Sequence, residues 1–316
     1  MKGFLSVVLF SLLVLTSCDK VENPIPVDNV NGTTNCGWDA YPNGDSAHYV
    51  ANAWPTFTPN TNTDRNVLIE DFTGHQCIFC PPAAILGHQL QEDNLDRVFV
   101  SSIHAGPTGF MEGNQELNLG LGFVNDFTTS EGFAIGYRFG VGMAGSPFNG
   151  NPFGTISRLD HGNGYPVTHP NAWETAVNSM LANNELKVNI QAASNYYTST
   201  RGLFLHTEVD VLDPSIANEL RIVVYVIEDS LVGPQSTNLS PFVIPNFVHR
   251  DILRGCIDGK PFGQKLDASN LDANGKHYVN YIYCLPTQYD RENMHLLIYV
   301  RDAVTEEIYQ VIKHEF

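Results

Sequence analysis

Val67-Leu68-Ile69-Glu70-Asp71-Phe72-Thr73-Gly74-His75-Gln76-Cys77-Ile78-Phe79-Cys80-Pro81-Pro82 decides how the rest of this chain is read. Its first half is an apolar strand pattern. From Pro81 to Leu90 the composition turns helical, and proline suits a first helical turn. Two cysteines two residues apart can close a small disulfide ring or hold two corners of a metal site. A strand before them and a helix after favour the redox use. A helix N-terminus presents free N–H groups and the positive end of the helix dipole. These lower the pKa of the first thiol, which makes Cys77 the attacking sulfur and Cys80 the resolving one.

Asp71 stands six positions before Cys77 and is followed by Phe72. This spacing resembles thioredoxin, and the resemblance implies that Asp71 is a buried carboxyl moving protons to and from the second thiol. Gln76 stands where that family usually has tryptophan, and Ile78-Phe79 where it usually has Gly-Pro. Thr129 to Val141 resembles the thioredoxin helix that runs toward a cis-proline. In that fold the cis-proline faces the disulfide, and the backbone beside it pairs with substrate peptide. Pro152 and Pro147 compete for the position. Pro152 directly precedes Phe153-Gly154-Thr155-Ile156-Ser157-Arg158, which reads as the next strand, and is preferred.

Upstream, a basic head at Lys2 and an apolar run from Phe4 to Leu15 read as a signal peptide rather than a membrane span. Leu15-Thr16-Ser17-Cys18 resembles a bacterial lipobox. The expectation is a signal over 1–17 and a lipid on Cys18, which would hold the protein to a membrane by acyl chains. Residues 18–63 are rich in turn formers and read as a flexible tether, with Cys36, Trp38 and Trp54 pointing to a part of it that packs on the body. Asp45-Ser46-Ala47 within it reads either as an O-glycosylation sequon or as an acidic turn.

The formal charge is −17, and −18 once the signal's Lys2 is removed. Such a balance excludes a nucleic-acid partner, which needs clustered Lys and Arg. Six cysteines, one of them the anchor, suit an oxidising compartment.

Alternation of strands and helices over 64–184 predicts an α/β domain. Its last helix is expected to start at Asn171 as N-cap and to bury Trp173, Ala176, Val177 and Met180 on one face. Over 185–316, Leu186–Ile190, Leu203–Val211, Arg221–Glu228, Tyr278–Cys284 and His295–Asp302 read as alternating strands between turn-rich loops. They predict an all-β, sandwich-like second domain.

The lipobox, the Glu70-Asp71-Phe72-Thr73-Gly74 strand end running into Cys-x-x-Cys, Pro152-x-Gly154-x-x-x-Arg158 and His249-Arg250-Asp251-Ile252-Leu253-Arg254-Gly255 occur in order. Together they resemble the "outer membrane protein twenty-eight" related lipoproteins of Gram-negative bacteria. The resemblance covers about 64–316. It implies a thioredoxin-like domain followed by a β-sandwich, in a lipid-anchored protein of the outer membrane, on its periplasmic face or at the cell surface. It implies no settled activity.

Of the other cysteines, Cys256 and Cys284 either pair with each other or are two buried free thiols, and Cys36 is either free or paired with Cys256 or Cys284. A zinc site from Cys77, Cys80 and two of His75, His88 or His104 has suitable ligand types. No second Cys-x-x-Cys or His pair stands at ligand spacing, so neither a metal nor another cofactor is expected. Two functions follow. In one, an enzyme exchanges disulfides with a disulfide-bearing protein through Cys77 and Cys80, with Asp71 and Pro152 assisting. In the other, a surface lipoprotein binds a partner and keeps Cys77–Cys80 as a static staple.

Overall fold

The structure, a computed structural model, describes residues 36–109 and 116–316. The signal peptide and Cys18 lie outside the described residues. No helix among the described residues is long and apolar enough to cross a membrane.

The elements run in order α1 (Ser46–Asn52), β1 (Val67–Thr73), α2 (Cys80–Asp93), β2 (Val98–His104), α3 (Ser130–Phe139), β3 (Phe153–Ile156), β4 (Val167–Thr168) and α4 (Trp173–Asn183). Then come β5 (Val188–Tyr197), β6 (Gly202–Val211), β7 (Leu220–Glu228), β8 (Leu231–Ser236), β9 (Val243–His249) and β10 (Ile252–Cys256). The chain closes with β11 (Gln264–Lys265), β12 (Lys276–Cys284), β13 (Met294–Asp302) and β14 (Ile308–Glu315).

β1 and β2 are parallel, with Val67 opposite Val98, and α2 makes the crossover between them. β3 adds antiparallel to β1, and β4 to β3. On the other side the sheet does not stop. β10 pairs with β2 through Ile252 and Ser102, and β7, β13 and β14 follow. Among the described residues this gives a nine-stranded sheet in the order β14-β13-β7-β10-β2-β1-β3-β4, with β11 on β7. The boundary expected at 184/185 therefore does not separate two sheets. Strands from both halves share one.

A three-stranded sheet, β12-β6-β5, packs against the β7–β13 half through Leu203, Leu205, Val279 and Tyr281 on one side and Ile222, Val224, Leu296 and Ile298 on the other. This is the sandwich the alternation predicted, with one of its layers borrowed from the large sheet. The alternation itself fails in β7 and β13. Ile222, Val224 and Val226 face the small sheet, while Val223, Tyr225 and Ile227 face α3 and the core around Phe72 and Phe139. A strand covered on both faces reads as a continuous apolar run.

The β1–β2 half carries α2 and α4 on one face, through Val67, Ile69, Ala83, Leu90 and Trp173, and α3 on the other, through Leu68, Phe72, Ile103 and Ile135. α4 buries Trp173, Ala176, Val177 and Met180 as its periodicity predicted. It starts at Trp173 rather than at Asn171, because Pro170–Ala172 form a 3-10 turn whose cap is the His169 side chain. Thr129 caps α3 by accepting from the Gly132 N–H at 2.9 Å.

One expectation is corrected and a second is decided. Residues 36–63 are not a tether with a packed part only at Cys36, Trp38 and Trp54, because Tyr41 and Tyr49 are seated with them. Asp45 caps α1, and Tyr49 is wholly buried on Phe204 with Trp38, Tyr41 and Trp54 around it. Its hydroxyl is 2.7 Å from His206 Nε2. Aromatic rings bury enough area to seat a segment whose composition is otherwise that of a loop. The second concerns the long-range disulfide, where the structure decides between the pairings left open. Cys284 pairs with Cys36, not with Cys256. Cys284 ends a strand of the small sheet beside Trp38, whereas Cys256 faces the core under α3. The large sheet lies between them, and Cys256 is a buried free thiol.

Candidate functional site

β1 delivers two adjacent carboxyls to opposite faces of the sheet, because side chains alternate along a strand. Glu70 points with Leu68 and Phe72 toward α3. Its Oε1 and Oε2 receive Arg158 Nη2 and Nε at 2.6 and 2.8 Å, Thr155 Oγ1 at 2.6 Å and the Tyr225 hydroxyl at 2.8 Å. Burial pushes its pKa up, but the Arg158 charge and these bonds outweigh that and hold it below the usual range.

Asp71 points with Val67 and Ile69 toward the face under α2. It is 1 % exposed, and neither carboxylate oxygen has a hydrogen-bond partner. Burial pushes its pKa up to about 8.

After β1 the chain turns through Gly74 to Phe79 and enters α2 at Cys80. Cys77 and Cys80 are joined by a disulfide, with Cα atoms 5.4 Å apart. Cys77 is 4 % exposed, while Ile78 and Phe79 between the sulfurs are 42 % and 57 % exposed. The sequence gives no sign of what covers Cys77. The β8–β9 hairpin lies against this loop. Gln235 Nε2 donates to the Gly74 and Cys77 carbonyls at 3.1 and 3.0 Å. The Ser236 N–H donates to the His75 carbonyl at 2.7 Å, and the Asn238 N–H to that of Ile78 at 3.1 Å.

The Asn151–Pro152 bond is cis, and that of Pro147 is not. Asn151 Nδ2 donates to the Thr73 and Ala105 carbonyls, which ties Pro152 to the ends of β1 and β2 beside the cysteine loop. The spacing Pro152-x-Gly154-x-x-x-Arg158 now has a physical reason. A Cβ on Gly154 would stand 2.5 Å from Trp173 Cζ2 and 2.6 Å from the Glu70 carbonyl. Arg158 is needed for Glu70.

The histidines divide. His75 is buried against His104, His249 and Glu116. His88 lies apart, 3.4 Å from Asp251. The cysteine-based zinc set is not assembled, since Cys77 and Cys80 bind each other. Glu116 and Gln235 were not singled out from the sequence, and His249 only as the first residue of a motif. They converge on the cysteine loop from segments up to about 170 residues away in the chain, and only the fold brings them there.

The family described as outer membrane protein Omp28 matches residues 147–316. That span includes Pro152, Arg158 and His249, and begins after the two cysteines. Among solved structures, HBP35 of Porphyromonas gingivalis aligns with a TM-score of 0.59 at 15% identity, over 81% of this chain and 77% of that one. A domain of the outer membrane lipoprotein Omp28 from Porphyromonas gingivalis aligns at 19% identity over 42% of this chain and 88% of that one, with a TM-score of 0.27. A protein from Agrobacterium tumefaciens aligns at 13% identity over 80% and 96%, with a TM-score of 0.46. No curated protein matches. The likeness to HBP35 is one of fold alone, and it is the match over 147–316, more than half of the chain, that establishes kinship: this chain belongs to the Omp28 family of outer membrane proteins.

Proposed function

We propose that this protein is a cell-envelope lipoprotein, anchored through Cys18, whose thioredoxin-like unit exchanges disulfides through Cys77 and Cys80. The order β1, α2, β2, α3, cis-Pro152, β3, β4, α4 supports the thioredoxin-like reading. One observation carries the chemistry. Asp71 is a buried carboxyl with no partner, on the strand face beneath the helix that starts at Cys80. A static staple has no use for such a group, and burying it costs stability.

Exchange runs through a thiolate and a mixed disulfide. In the reduced protein the Cys77 thiolate attacks one sulfur of a substrate disulfide, and the other substrate sulfur leaves as a thiolate. Asp71 takes the proton from Cys80. The Cys80 thiolate then attacks Cys77, releases the second substrate thiolate and closes the ring. Two electrons pass to the substrate. A carboxyl with a pKa of about 8 matches a free thiol, near 8.5, so the proton transfer is close to balanced. The disulfide form runs the same steps backward against a dithiol.

A second reading has its own support. Cys77 is nearly covered and the β8–β9 hairpin is bonded across its loop, which suits a stapled partner-binding surface rimmed by Ile78 and Phe79. Equilibration in thiol buffers followed by alkylation and peptide mapping separates the two. Exchange predicts a midpoint within the oxidoreductase range and a mixed disulfide trapped on Cys77 in Cys80→Ser. A pair that stays oxidised far below that range, with nothing trapped, leaves the staple.

A further inference from the structure

We propose that His75, His104 and Glu116 form a binding site for a divalent transition-metal ion of the zinc class, with His249 supplying a fourth ligand. The first three come from the turn after β1, the end of β2 and the segment leading to α3. Each offers one ligand atom, and all three atoms lie within 4.8 Å of one another. His75 Nε2 is 3.4 Å and His104 Nδ1 is 3.1 Å from the same oxygen, Glu116 Oε2. Ligands placed tetrahedrally about 2.0–2.1 Å from zinc stand about 3.4 Å from each other. Of the two edges that share Glu116, the 3.4 Å one has that length and the 3.1 Å one is about 0.3 Å short of it.

The second observation is the state of the imidazoles. His75 is 0 % exposed, and neither ring nitrogen has a hydrogen-bond partner. Buried polar groups are nearly always partnered, and an orphan costs roughly 1–3 kcal/mol. His249 stacks on His75 with ring centroids 4.7 Å apart. One of its nitrogens bonds the Pro234 carbonyl, while Nε2 is buried and unpartnered. A ring that donates one N–H to a backbone carbonyl presents its other nitrogen as a lone pair, the arrangement that second-shell carbonyls impose on metal-bound histidines.

Two histidines and a glutamate are a zinc ligand set, and they also suit iron(II). A small cavity of about 20 Å³ reaches His104, His249 and Cys80, enough for about one further small ligand such as water. The site does not depend on thiol exchange. It uses different atoms and is complete with Cys77–Cys80 oxidised.

The test uses the full chain with both disulfides intact. After chelator treatment it is titrated with zinc alone by calorimetry, and bound metal is counted by elemental analysis. The expected result is one zinc per chain. Binding weakens by about 100-fold or more in His75→Ala and in Glu116→Gln, beyond the 10–100-fold typical of losing an outer-shell partner. It is unchanged in His88→Asn. Cobalt(II) in place of zinc gives the visible bands of a tetrahedral site, and Glu116→Gln removes them. Glu116→Gln preserves shape, so it decides the matter if His75→Ala does not fold. Absence of binding, full-strength binding in Glu116→Gln, or an equal loss in His88→Asn overturns the proposal.

Discussion

Glu70 and Asp71 are neighbours in sequence, equally buried and acidic, and they live in opposite worlds. On the α3 face Glu70 has an arginine, two hydroxyls and a depressed pKa. On the α2 face Asp71 has no partner and a pKa of about 8. The same division extends outward. Arg158 is enclosed by Phe139, Tyr225 and Tyr299, whereas beyond Asp71 lie a disulfide, unpartnered imidazoles and a small cavity. A single strand keeps a carboxylate that is fully partnered apart from one that has no partner. Physical satisfaction separates the two where residue type does not.

The comparison breaks most strongly at Arg158. Arg158→Ala strands Glu70 without its counter-charge, and removing one partner of a buried pair costs roughly 3–5 kcal/mol. Urea melts should show a loss of that size. The double variant Glu70→Leu/Arg158→Met should recover most of it, because no unpaired charge remains.

Asp71 should behave in the opposite sense. Its folded pKa of about 8 lies above the ordinary aspartate value of 3.8, so between those values the folded state holds a proton that the unfolded chain has released. Stability therefore falls as pH rises from 4 to 8. Asp71→Asn should leave stability nearly unchanged at pH 4 and raise it by about 2 kcal/mol at pH 9. The full four-unit gain is not reached, because the buried amide also lacks partners. A gain that does not grow with pH would count against an unpaired carboxyl.

The smallest effect lies in the hairpin. Gln235→Leu leaves the Gly74 and Cys77 carbonyls without their donor, at a cost of about 1 kcal/mol. The informative readout is kinetic. Reduction of Cys77–Cys80 by a small thiol should become several-fold faster than in the unaltered chain. An unchanged rate means that the hairpin does not shield the sulfurs.

Much of this was legible in the sequence where the information is local. The strand-turn-helix around the cysteines and the buried face of α4 follow from period and capping. Asp71 falls under α2 because it shares parity with Val67 and Ile69. What could not be read depends on remote partners. β7 and β13 do not alternate, since two different layers cover them. The Cys36–Cys284 pairing needs the aromatic seat built on Phe204. Glu116 and His249 carry no local mark, and nothing in the composition of 36–63 shows that Tyr49 is a core residue. That histidines would gather at the cysteine loop was partly visible in His75 and His104, but their carboxylate partner was not.

The Cys36–Cys284 bond also changes the mechanics of the molecule. With Cys18 as the lipid anchor, the leash to the membrane would end at Cys36 and not at residue 63. The eighteen residues from anchor to bond span about 60 Å at full stretch, which sets a ceiling on how far the cysteine loop can patrol from the bilayer. A pull along that leash would enter the fold through a covalent link to the last residue of β12, an edge strand paired along its length with β6, and would not be spent on peeling α1 from its seat. Reducing this one bond would lengthen the leash and weaken the harness together.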